Sequence, residues 1–222
     1  MLVKEVMTAH PVTVTEETPI FQAMDVMRRQ KFGRLLVTRG DELVGIVTEL
    51  DLMRVSPSAA TTLSRWEQNE LLGKMKVRQV MTRKPLTINP NDTVEEAARL
   101  MCEKRISGLP VVDAGQVVGI VTERDLFQAF VNLMHGAAPG ARLTLEVKNQ
   151  VGVLADIARL ISDAGINILA VAADSEKKGY SQLVLKLDTE EPTQIVSQLE
   201  SAGYKVIHQA LGGTTYLENG AS

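Results

Sequence analysis

A chain of 222 residues has the length for one large domain or two modest ones with real cores, and 45% apolar with 23% charged residues is an ordinary soluble composition. Aromatic residues reach only 4%, so the cores must be aliphatic, and the single cysteine, Cys102, excludes an intrachain disulfide or a thiolate metal cluster. The net charge of −3, with its acidic excess after residue 136, argues against nucleic-acid binding as the main business.

The opening MLVKEVMTAHP lacks the apolar core of a signal peptide, and no run of about 18 apolar residues follows, so a soluble cytoplasmic protein without membrane association is expected. VMTAHPVTV (Val6–Val14) reads as a short extended piece. A helix is predicted over Thr18–Lys31, with Ile20, Ala23, Met24 and Met27 on one face. Strands Leu35–Thr38 and Leu43–Thr48 flank the turn Arg39-Gly40-Asp41-Glu42, and another helix starts after Thr48. The connector Pro57–Lys76 carries Trp66, Leu71 and Leu72 and reads as a packed helix.

The same order then returns. A shift of 74 positions aligns Val3–Leu52 on Val77–Leu126 without a gap, with 18 of 50 pairs identical. The second helix is predicted over Thr93–Arg105, with Val94, Ala97, Ala98 and Met101 on its face. Strands Leu109–Val112 and Val117–Thr122 flank Asp113-Ala114-Gly115-Gln116. Val44–Leu52 (VGIVTELDL) recurs at Val118–Leu126 (VGIVTERDL), with Leu50 replaced by Arg124. In each copy a buried strand delivers a Thr hydroxyl and, three residues on, an Asp carboxylate at a helix start. That pattern serves a capping box, or it holds a ligand diol beside backbone N–H groups that suit a phosphate.

These repeats resemble a tandem pair of CBS domains, the Bateman module, across about the first 135 residues, with the motif GhhTxxD intact twice. The resemblance implies adenine-nucleotide binding between the repeats, through one repeat's helix-start Thr and hxxhP segment and the other's TxxD. One implied site joins Thr93 and Ile106-Ser107-Gly108-Leu109-Pro110 to Thr48 and Asp51, with Arg34 where family members place a phosphate-binding base. The companion site joins Thr18, Phe32 and Gly33 to Thr122, Arg124 and Asp125. It departs from the pattern because Leu36 replaces the proline and Ser107-Gly108 supply no cation. The first site is therefore the favoured one.

After the small-residue linker Gly136–Gly140, a new pattern begins: strand Ala141–Lys148, helix Gly152–Ala164, strands Ile166–Ala172 and Ser181–Leu187, helix Pro192–Ala202 and strand Tyr204–Gln209. The order βαββαβ predicts a ferredoxin-like sandwich. NQVGVLADIARLISDAGINI resembles the signature of an ACT domain, a module that commonly binds amino acids. The implied ligand residues are Asn149, Gly152, Val153, Leu154 and Asn167. Val147 and Val151 depart from the serine-binding type, which has His and Pro there.

The whole reads as an α/β (α+β) chain: CBS repeat 1 over 1–56, a helical connector over 57–76, CBS repeat 2 over 77–135, a linker over 136–140, an ACT domain over 141–211 and a tail over 212–222. His10, His135 and His208 lack metal-ligand spacing, no GxSxG or Walker loop occurs, and Cys102 reads as helix packing rather than a nucleophile. The expectation is a non-enzymatic sensor needing no cofactor, with AMP, ADP or ATP as regulatory ligand, an amino acid as a second one, a homodimeric state and an unidentified regulated protein. The alternative is an oligomerisation scaffold with vestigial pockets. The domain order resembles the acetoin-utilisation (AcuB-like) group of CBS–ACT regulators, and the short linker predicts that the two modules influence each other.

Overall fold

Each repeat opens with a helical turn, α1 at Val3–Val6 and a 3-10 turn at Val77–Gln79, ahead of the extended piece expected from Val6. The computed structural model describes residues 1–55, 75–174 and 179–212, so Trp66, Leu71 and Leu72 of the expected connector helix lie outside the described residues. After α1 come β1 (Thr8–Ala9), β2 (Thr13–Thr15), α2 (Ile20–Gln30), β3 (Arg34–Arg39), β4 (Glu42–Thr48) and α3 (Glu49–Val55). The second repeat runs β5 (Thr82–Arg83), α4 (Val94–Lys104), β6 (Gly108–Asp113), β7 (Gln116–Thr122) and α5 (Glu123–Leu133). The chain divides into two compact units, Met1–Leu126 and Phe127–Ser222, so the division falls within α5.

Helical spacing explains α2 and α4. Ile20, Ala23 and Met27 are buried on one, and Ala97 and Met101 on the other, three to four residues apart on an apolar stripe. Their starts differ. Thr93 caps α4, its hydroxyl accepting from the Glu96 N–H at 3.2 Å. Pro19 holds the cap position of α2, so Thr18 stands one residue outside the helix and accepts from the Thr15 N–H at 3.0 Å instead. Thr18 and Thr93 are therefore not equivalent, contrary to the sequence reading.

The repeats exchange their opening segments. β1 pairs antiparallel with β7 of the other repeat (Thr8↔Ile120), and β5 pairs with β4 (Ile46↔Thr82). Val77 and Met81 belong to the core of repeat 1, with Ile20, Leu35, Val37 and Val47, while Val3 is buried with Ile88, Met101, Leu109 and Val121 of repeat 2. A Cβ on Gly45 would lie 2.6 Å from Met81 Sδ, and one on Gly119 would collide with Met7. This accounts for two identities of the repeat. Each Gly of the GIVTE block is the seat for the other repeat's Met.

The second unit contains β8 (Gly140–Lys148), α6 (Val153–Asp163), β9 (Ile168–Ala173), β10 (Tyr180–Leu187), α7 (Thr193–Ser201) and β11 (Lys205–Gly212). The four strands are antiparallel in the order β11-β8-β10-β9, the ferredoxin-like arrangement expected. Leu143, Leu145 and Leu185 from the sheet meet Ile157, Ile161, Ile195 and Leu199 from the helices. β11 continues past Gln209 to Gly212, which pairs with Gly140 and so reaches the first residue of the expected tail. Lys186 is buried in this unit and donates to the Gly140 carbonyl at 3.0 Å, where β8 begins.

Candidate functional site

The duplicated strand-to-helix junctions place Thr48–Asp51 at the start of α3 and Thr122–Asp125 at the start of α5. In both, the Asp Oδ2 accepts two bonds from the Thr. For Asp51 these come from the Thr48 N–H at 2.9 Å and the hydroxyl at 2.6 Å; for Asp125 they are 2.8 and 2.7 Å. The Asp51 N–H returns a bond to the Thr48 hydroxyl at 3.2 Å. A short Asp thus makes the reciprocal contact of a capping box with Thr48. The capping geometry leaves Oδ1 of each carboxylate without a hydrogen bond among the described residues. Each group remains able to accept a bond from a ligand.

A cavity of about 520 Å³ gathers Phe32, Gly33, Thr122, Arg124 and Asp125, which are the companion-site residues other than Thr18. Arg34 and Ser107 also line it, with His10, Lys31 and Glu123. Thr48, Asp51, Thr93, Ile106 and Gly108 are not among its lining residues. A ligand-sized space is thus present at the companion site.

Arg34, grouped with Thr48 and Asp51 in the sequence reading, lines this cavity. Its backbone stands opposite Thr48 in the β3–β4 register, which is where the motif comparison put it. Its guanidinium, however, reaches across to repeat 2 and donates to Ser107 Oγ at 2.9 Å. A Cβ at Gly108 would collide with that guanidinium, so the missing side chain at 108 is what admits the arginine. Burial pulls the Arg34 pKa below its ordinary value, while the carboxylates of Glu123 and Asp125 oppose the shift. Arg34 is a half-buried cation beside the Asp125 carboxylate.

Left-handed backbone adds a second feature that sequence reasoning missed. Lys31 (φ 56°) and Arg105 (φ 53°) end α2 and α4, and His10 (φ 49°) and Lys84 (φ 46°) follow β1 and β5. Glycine is the low-cost residue for that conformation. Lys31→Gly is expected to stabilise the chain by about 0.5–1 kcal/mol, read as a higher denaturation midpoint. A lower midpoint would show that the Lys31 side chain contributes packing beyond its charge.

In the second unit, Gly152 adopts φ 95° and precedes α6 with open space where a Cβ would stand, so its conformation requires glycine and its surroundings admit a ligand. Val151 and Leu154 are exposed, whereas the Val153 side chain is in the core, leaving only its backbone N–H to meet a ligand. Asn149 and Asn167 are both exposed; the Asn149 N–H donates to Gly179, and the Asn167 carbonyl accepts from Asp188. Cys102 is exposed on α4, which corrects its reading as a packing residue. Among the described residues, no group of three or more His, Cys, Asp or Glu could hold a metal ion, and no helix is long and apolar enough to cross a membrane.

The CBS domain model matches residues 3–58 and 77–132, and the ACT domain model matches 141–203. An uncharacterized protein of Methanocaldococcus jannaschii is 34% identical over 155 residues, 59% of this chain and 92% of that protein. The CBS domain-containing protein YhcV of Bacillus subtilis is 32% identical over 142 residues, 64% of this chain and 92% of its own length. Among solved structures, the AcuB protein from Vibrio cholerae superposes with a TM-score of 0.51 at 25% identity, covering 61% of this chain and 93% of that one.

Proposed function

Because the chain belongs to the CBS-domain family, with two CBS domains followed by an ACT domain, we propose that it is a non-enzymatic regulatory sensor. Its CBS pair binds an adenine nucleotide, its ACT domain binds a small metabolite such as an amino acid, and a partner protein reads the resulting shift in conformation. The observation that carries the nucleotide reading is the Asp125 cavity. A carboxylate with one open oxygen suits a ribose diol, and arginines on either side suit phosphate. About 520 Å³ is ample for a ligand of this size. Calorimetric titration of the full chain with AMP, ADP and ATP tests it. Absence of heat with all three at millimolar concentration would remove the proposal.

The scaffold reading draws support from the same contacts, since the Asp carboxylates already cap their helices without a ligand. The helical face of repeat 1 also exposes Phe21, Leu50 and Met53, and Phe21 and Met53 line a groove of about 930 Å³ between α2 and α3. Apolar faces of this kind suit self-association, so a homodimer is expected under either reading. Sedimentation at micromolar protein should give twice the 24.2 kDa chain mass, and Met53→Glu should lower it. A monomer at that concentration would refute the dimer. A dimer that no nucleotide or amino acid stabilises in a thermal-shift panel would favour the scaffold.

A further inference from the structure

The two copies of the nonapeptide differ only at Leu50 and Arg124, and the starts of β3 and β6 differ by Arg34 against Gly108. Both arginines line the Asp125 cavity, together with Lys31 and His10. By the 74-residue shift the equivalents of Arg124, Arg34, Lys31 and His10 are Leu50, Gly108, Arg105 and Lys84, so the set matched to Asp51 in sequence lacks counterparts of both Arg34 and Arg124. Glu123 and Asp125 are the acids of the cavity, and its permanent cations Lys31, Arg34 and Arg124 outnumber them. In the Asp51 set, Glu49 and Asp51 balance Lys84 and Arg105.

A nucleoside or a monophosphate has little use for several cations spread around one cavity. A phosphate chain does, because each further phosphate brings negative charge and acceptor oxygens that a planar guanidinium meets two at a time.

We infer that the cavity between Lys31–Arg34 and Thr122–Asp125 selects a nucleoside di- or triphosphate over a monophosphate, with Arg34 and Arg124 setting the preference. The nucleoside half of this inference rests on the nucleotide reading above; the phosphate half rests on the cations. Arg34 is held in place by Ser107, so it meets the ligand without first being ordered. Arg124 is exposed at the rim, where its contribution follows salt concentration.

The test is magnesium-free titration of the full chain with AMP, ATP and inorganic tripolyphosphate. ATP should bind at least about tenfold tighter than AMP, the scale of one charge-assisted contact. Arg124→Leu, which rewrites the second nonapeptide as the first, should remove most of that ratio while AMP affinity changes less than about threefold. Lys31→Gly should weaken ATP binding while raising the denaturation midpoint, which separates lost charge from damaged fold. Equal affinity for AMP and ATP, or a ratio that survives Arg124→Leu, overturns the inference and leaves the nucleotide reading standing. Tripolyphosphate binding that is lost in Arg124→Leu, with every nucleotide ignored beyond its phosphates, supports phosphate-chain selection and overturns the nucleotide reading. No binding of ATP or tripolyphosphate overturns both.

Discussion

Replacing Asp125 by alanine is expected to weaken adenine-nucleotide binding by about 1.5–3 kcal/mol, a loss of roughly ten- to a hundredfold. The open Oδ1 is the acceptor proposed for the ribose, and its charge strengthens the bonds it receives. The same change removes the acceptor for the Thr122 N–H and hydroxyl, so about 1 kcal/mol of stability should go with it. Asp125→Asn separates the two effects, because an amide oxygen still accepts from Thr122 but carries no charge. Its melting temperature should stay near that of the parent while its affinity falls. Asp51→Ala should show the same stability loss through the Thr48 contacts, with a smaller effect on binding at the Asp125 cavity. Calorimetry on the three variants decides the matter. Binding within threefold of the parent in Asp125→Ala would leave the carboxylate as a helix cap and nothing more.

The largest stability effect is expected at the seam between the repeats. Gly45→Val should destabilise by about 2–3 kcal/mol, because the new Cβ would lie 2.6 Å from Met81 Sδ and 3.0 Å from the Thr82 carbonyl. Thr82 is hydrogen-bonded in the β4–β5 pair, so its backbone has little room to retreat. Met81→Ala alone should cost about 2 kcal/mol by leaving a cavity in the repeat 1 core. Combined, the two changes should cost less than their sum by about 1 kcal/mol, since the valine fills space the methionine vacates. Additive costs, measured by scanning calorimetry, would mean that Gly45 and Met81 do not share one packing site.

Much of this protein was legible before folding. The 74-residue shift, the buried positions three and four apart in α2 and α4, and the alternating β8 depend on local periodicity, which a chain displays in its own order. The TxxD pairs were legible for the same reason, because Thr and Asp lie three residues apart and their contact is settled within one helical turn. Asn149 and Gly152 were likewise visible as a strand-to-helix loop, and the left-handed Gly152 shows why no other residue is comfortable there.

Three features needed the tertiary structure. The exchange of opening segments joins Thr8 to Ile120 and Thr82 to Ile46. Strands of two residues have no period to read, so their partners are chosen by the packing of Met7 and Met81 over distant glycines. The 74-residue shift already sets Pro19 opposite Thr93, but only the fold shows that the Thr18 hydroxyl turns back to the Thr15 N–H instead of capping α2. Arg34 is the third. Its backbone neighbour is Thr48 and its charge neighbours are Glu123 and Asp125, because a long side chain crosses the repeat boundary where Gly108 leaves space. Sequence position locates a Cα, but the reach of an arginine and the gap opposite it decide which site receives the charge.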